Sequence, residues 1–199
     1  MMMRLLLVLL FATAAFADDV IDCTGAFAPT TSEQALIAKF GKANVKRETI
    51  YVAEGGEEDG TVLFPNNPKR RIEIVWKNKK QRKTPEWLRV PTDSQWTVFG
   101  LRNGTTLADL VKRNGRDFKF SGFGWDYGGA ITDWRGGTLN TLGSKTCHVG
   151  LTIDPVYPDN PTKAEEAALN AVSGDSEFLS SSPHLKKLKV QVSEIIVSY

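Results

Sequence analysis

The sequence predicts an α+β domain in which an antiparallel sheet is covered on one face by short helices. Three observations carry that prediction. Segments such as Arg71-Ile72-Glu73-Ile74-Val75-Trp76 alternate apolar with polar residues, as half-buried strands do. Two short apolar-striped stretches carry helix caps at both ends. The composition is that of a globular chain: of 199 residues, 41% are hydrophobic and 24% charged, with 17 Gly and 9 Pro, which excludes a disordered or fibrous protein.

Residues 1–17 read as a secretory signal peptide. Arg4 is the positive head, Leu5 to Phe11 the apolar run, and Ala15-Phe16-Ala17 the cleavage motif before Asp18. The apolar run is too short to span a bilayer, and no other segment reaches the roughly 18 to 20 apolar residues of a transmembrane helix. The expected location is the periplasm or the medium, after cleavage following Ala17. Cys23 lies too far from that point for a lipid anchor. In an oxidising compartment Cys23 and Cys147 are expected to form one disulfide that ties the new N-terminus to a late strand. Without Arg4 the chain carries about one net positive charge, so bulk charge predicts no nucleic-acid partner.

The first helix is expected over residues 31–41, with a Ser/Thr cap, Leu36, Ile37 and Phe40 as its stripe and Gly41 as its stop. Strands follow at Thr49-Ile50-Tyr51-Val52, at Thr61-Val62-Leu63-Phe64 and at Arg71 to Trp76. Eight basic residues then fall within the fifteen positions from Lys69 to Lys83. They either bind an anionic surface or form a solvated hairpin turn at Lys77-Asn78-Lys79-Lys80-Gln81 whose charges protect a sheet edge.

The second helix, over 105–115, repeats the grammar of the first. Thr106 and Asp109 suit a capping box and Gly115 closes it. Superposing Leu36 on Leu110 also aligns Ser32 with Thr106, Ile37 with Val111 and Gly41 with Gly115. Strands follow again, at Phe118 to Tyr127, Ala130 to Trp134 and Cys147 to Ile153. The expected organisation is a first helix-hairpin repeat over 18–100, a second over 101–155, and a C-terminal segment, 156–199, packed on the same domain. That segment holds a helix over 161–172 and a closing strand in which Leu188, Val190 and Val192 change phase to Ile195, Val197 and Tyr199, so a bulge is expected near Ser193-Glu194.

The densest candidate site is the hairpin around Gly128-Gly129. If those glycines form a two-residue turn, Tyr127 pairs with Ala130, Trp125 with Thr132 and Phe123 with Trp134, and Phe123, Trp125, Tyr127 and Trp134 share one face. The four rings then form either a platform for a sugar or protein partner, or the buried face of the sheet. A phase change after Phe118 and Phe120 predicts a bulge at Ser121-Gly122. Asp126 and Asp133 fall on the opposite face, about 7 to 8 Å apart by Cα. That spacing is within the range of a glycosidase pair, but no burial or sugar cleft is indicated, and the favoured reading is two turn-flanking aspartates facing water. No nucleophile elbow, metalloprotease helix, phosphate loop or dinucleotide motif is present, and His148 and His184 fall in unrelated contexts, so neither a cofactor nor a metal is implied.

The Thr/Ser-x-x-x-Leu-x-x-x-x-Gly pattern at Ser32 to Gly41 and Thr106 to Gly115, each followed by strands, resembles the small periplasmic modules of the outer-membrane assembly lipoprotein BamE and of the tandem-repeat β-lactamase inhibitor protein. The resemblance covers residues 30 to 155. It implies helices on an antiparallel sheet in two repeats, acting by protein contact without catalysis. The chain departs from the first in lacking a lipobox and from the second in lacking a disulfide within each repeat, and no residue role is carried over. Ser121 to Gly129 is also similar to stretches of secreted bacterial proteins, which supplies no activity. The expected function is that of a non-enzymatic periplasmic or secreted binding protein of the envelope-assembly or inhibitor type, acting by protein contact through Phe123, Trp125, Asp126, Tyr127 and Trp134, with an envelope protein or a glycan as partner. The alternative is a peptidoglycan- or carbohydrate-binding protein with weak glycan hydrolysis by Asp126 and Asp133.

Overall fold

A computed structural model describes residues 19–199, and the leader lies outside the described residues. The chain begins with β1 (Val20–Ile21), followed by α1 (Glu33–Phe40), whose Ser32 hydroxyl accepts the Ala35 N–H and whose stop is Gly41. Four strands follow: β2 (Val45–Tyr51), β3 (Glu57–Leu63), β4 (Ile72–Asn78) and β5 (Lys83–Val90). After the short β6 (Thr97–Val98) comes α2 (Leu107–Asn114), capped by Thr106 on the Asp109 N–H and closed by Gly115 in the left-handed region. Asp109 accepts from the Thr106 hydroxyl. The rest is β7 (Lys119–Ser121), β8 (Ile131–Asp133), β9 (Gly143–Ser144), β10 (Cys147–Pro155), α3 (Lys163–Asn170), β11 (Glu177–Leu179) and β12 (Val190–Ser198). The fold is therefore mixed α+β with mostly antiparallel sheet.

The main sheet has seven strands in the order β2-β3-β4-β5-β12-β10-β9, all paired antiparallel. The C-terminal strand thus lies in the middle, between β5 and β10. The two helix-led units differ in what their hairpins do. Of the strands after α1, β2 to β5 enter this sheet and β6 pairs in parallel with β1, whereas after α2 the strands β7 and β8 form a separate three-stranded sheet with β11, and β9 and β10 join the large one.

The inner face of the large sheet carries Leu63, Ile72, Ile74, Trp76, Leu88, Val90 and Ile153, all buried in one cluster with Leu36 of α1, Leu110 of α2, Phe120 of β7 and Phe118 just before it. The change of phase in β12 is resolved by a bulge. Thr152 faces Glu194 while Ile153 faces Val192, so Ser193 is the extra residue and Val190, Val192, Ile195 and Val197 all point into the core. Cys23 and Cys147 are joined by a disulfide with their Cα atoms 6.4 Å apart, which ties the segment after β1 to the start of β10.

A buried polar network fastens α1 to the sheet. Glu33, 8% exposed, accepts from Arg47 at 2.7 Å and from the Thr61 hydroxyl at 2.8 Å, and lies 3.4 Å from Arg82. Thr61 in turn accepts the Trp76 indole N–H at 2.9 Å. Burial pushes the Glu33 carboxyl upward, but the bonds from Arg47 and Thr61 and the charges of Arg47 and Arg82 outweigh it and hold the group below its ordinary value.

Candidate functional site

The β7–β8 hairpin differs from the expected register. Phe120 faces Ile131 and Lys119 faces Asp133, so the bulged residue is Thr132 on β8, and no bulge forms at Ser121-Gly122. The strands end earlier because the chain finds other partners. The Gly122 N–H donates to Ser176, Phe123 donates to the Val172 carbonyl at 2.9 Å, and Gly174 returns a bond to Phe123 at 2.9 Å. A side chain on Gly122 would collide with the Gly174 carbonyl, so this approach requires glycine. The Trp125–Thr132 and Phe123–Trp134 pairings therefore do not form, and residues 124–129 make a series of tight turns.

The five candidate residues consequently separate. Phe123 is buried in the core with its ring 5.2 Å from Phe120, and Trp134, partly buried, packs against that core on Phe118 at 5.0 Å. Trp125 and Tyr127 are 41% and 48% exposed, in an edge-to-face contact of 5.3 Å. Asp126 lies between them in sequence.

This tip is fixed on three sides. The Trp125 indole donates to the Gly122 carbonyl at 2.9 Å. The Asp126 carboxylate accepts the Glu54 N–H at 2.9 Å, and the Tyr127 hydroxyl donates to the Glu54 carboxylate at 3.0 Å, which joins the tip to the turn between β2 and β3. That bond to Glu54, with the charges of Glu54 and Asp126, raises the Tyr127 hydroxyl above its ordinary value. Gly129, with φ of 76°, donates to Ser121 and accepts the Ile153 N–H at 2.9 Å. A Cβ there would sit on the Ile153 carbonyl oxygen, so only glycine lets the tip dock on β10.

Between the tip and the outer face of the large sheet lies a cleft of about 450 Å³, bordered by Tyr127 and Asp126 and floored by Trp87, Arg89, Thr152 and Glu194. Arg89 donates to Glu73 at 2.7 Å and to the Tyr51 carbonyl at 2.8 Å, and stands 3.7 Å from Glu194. Burial raises the Glu194 carboxyl, Arg89 pulls it down, and Glu73 adds to the rise. The sequence reading missed this floor. Its signal was the β4–β5 register, since the turn at 79–82 sets Glu73 opposite Arg89.

Asp126 and Asp133 do not make the expected diagonal pair, because the register that placed them together is not adopted. Asp133 accepts the Arg135 N–H at 2.6 Å in its own turn, while Asp126 serves Glu54. Among the described residues, four of the eight members of the basic run are matched by carboxylates: Arg70 with Asp19, Arg71 with Glu48 and Glu73, Lys79 with Glu58, and Arg82 with Asp59 and Glu33. Lys77 donates to the Tyr199 backbone oxygen at 2.6 Å. Among the described residues no helix is long and apolar enough to cross a membrane, and no three His, Cys, Asp or Glu side chains converge as metal ligands would. The disulfide fits an extracytoplasmic protein. Comparison of the chain with protein-family models, with curated proteins and with solved structures finds no match in any of the three.

Proposed function

We propose that this chain is an extracytoplasmic binding protein, exported by its leader and cleaved after Ala17, that acts by protein contact through the tip at Trp125 to Gly129 and performs no catalysis. One observation carries the reading: two large rings, Trp125 and Tyr127, stand nearly half exposed on a turn fixed from three sides. Rings of this kind supply most of the affinity in protein interfaces, and fixing them beforehand removes the ordering cost of binding. Their edge-to-face arrangement, with planes 70° apart, makes a knob for a partner's pocket. The resemblance to periplasmic modules that act by contact points the same way. The partner class is an envelope protein. Crosslinked pulldown from solubilised envelope is expected to retain a partner with the parent chain and lose it with Trp125→Ala of unchanged fold; equal recovery with both ends this assignment.

A second reading rests on the cleft beside the tip. Trp87 and Tyr127 with Arg89, Thr152 and Glu194 offer apolar and polar contacts in a volume within the usual range for small ligands. That mixture suits a glycan fragment, bound and not hydrolysed. Calorimetric titration with soluble peptidoglycan fragments tests it: heat that disappears in Trp87→Ala supports the reading, and no heat with the parent protein removes it.

A further inference from the structure

A second cavity lies away from the tip, where α2 faces the chain entering β12. It is a groove of about 880 Å³. Leu107, Ala108 and Val111 of α2 form one wall, and Val156, Leu185 and Leu188 form the other. The helix leaves Leu107 and Val111 only partly covered, and Val156 is 45% exposed. Apolar surface is thus open to water over a continuous concave strip, where a monomeric chain ordinarily closes it.

The rim is charged, and of one sign. Lys112, Lys186 and Lys189 border the groove, and no carboxylate is among its lining residues. All three lysines are exposed. The far wall is held by the Val156 N–H, which donates to the Lys189 carbonyl at 2.7 Å. The segment that leads into α2 is tied to β12 through Val192, whose N–H donates to the Thr105 carbonyl at 2.8 Å. The groove is therefore built into the main chain and is not a gap between loose side chains.

We propose that this groove binds the single acyl chain of a fatty acid, with its carboxylate held by Lys186, Lys189 and Lys112. The apolar walls take the chain out of water, and the three rim lysines select an anionic head over a neutral one. The volume lies within the range of small-ligand sites, near its upper end, which suits a long flexible chain. This site is independent of the tip, and its test uses other residues.

The test is calorimetric titration of the purified protein with saturated fatty acids of increasing length, each below its micelle concentration. Every added methylene is expected to tighten binding about three- to four-fold until the groove is full, after which affinity levels off. The fatty alcohol of matched length is expected to bind at least about ten-fold more weakly. Lys186→Glu with Lys189→Glu should remove that preference for the acid while leaving the alcohol unchanged. Val111→Trp, with an unaltered circular dichroism spectrum, should block both ligands. Absence of any chain-length dependence, or equal binding of acid and alcohol, overturns the proposal. Unchanged titrations in all variants place the ligand elsewhere and overturn it equally.

Discussion

Glu194 shows how one residue can bring the cleft into the pH dependence of the fold. Its carboxyl is pushed up by burial on the floor of the cleft and by Glu73, against the pull of Arg89. A folded value above the unfolded one means that the folded state holds the proton more tightly. The associated stability is complete below the unfolded carboxyl value and is lost as pH rises through the elevated one. Glu194→Gln is therefore expected to gain stability relative to the parent as pH is taken from 4 to 7, read by urea unfolding at each pH. A parent and variant that stay parallel over that interval would show that Glu194 is freely solvated. Side-chain exposure of 31% limits the size of the effect, since water still reaches the group. Glu33 runs the opposite way. Its lowered carboxyl contributes stability above the unfolded value that is lost on acidification.

The elements that were legible in the sequence are those whose signals are local. Ser32 and Gly41, and Thr106 and Gly115, bound their helices where a cap and a left-handed stop place them. The phase change in the closing strand likewise located the bulge of β12 at Ser193, because alternation is a property of adjacent residues. This gives a sharp expectation. Deleting Ser193 removes the extra residue and leaves Val190, Val192, Ile195 and Val197 in one regular alternation, all four still directed into the core. A cooperative urea transition is expected to survive the deletion, and its loss would contradict the assignment of Ser193 as the extra residue; Ser193→Ala keeps the bulge and should unfold within about 0.5 kcal/mol of the parent. The β7–β8 hairpin was illegible for the converse reason. Gly128-Gly129 reads locally as a two-residue turn, but Phe123 takes its backbone partners from Val172 and Gly174, some fifty residues away, and no local pattern announces that. Burial of Phe123, the partial burial of Trp134 and the exposure of Trp125 and Tyr127 follow from that one long-range choice.

On the scale of the whole molecule, the C-terminal strand lies between β5 and β10, so the sheet cannot be completed until the last residues of the chain are in place. The disulfide closes a loop of 124 residues around the same sheet. Constraint of the unfolded chain by such a loop is worth about 4 to 5 kcal/mol at most. Cys23→Ser with Cys147→Ser is expected to lower the melting temperature by about 8 to 18 °C, measured by calorimetry, and to leave the native spectrum in place. A shift under about 2 °C would mean that the N-terminal segment is held by its other contacts, among them the Arg70–Asp19 ion pair and the short β1–β6 pairing. The cleft floor at Arg89, Thr152 and Glu194 also belongs to this scale, since it joins β5, β10 and β12, which are far apart in sequence, and shows no motif in any of them.

The central claim, that the fixed aromatic tip is the binding surface, is tested most directly by site-specific photocrosslinking in envelope extract. A photoreactive phenylalanine analogue replaces Tyr127 in one sample and the comparably exposed Tyr157 in another. The account predicts a discrete protein adduct from position 127 and none from position 157. An adduct only from 157, or none from 127 in a protein with its native spectrum, would contradict it.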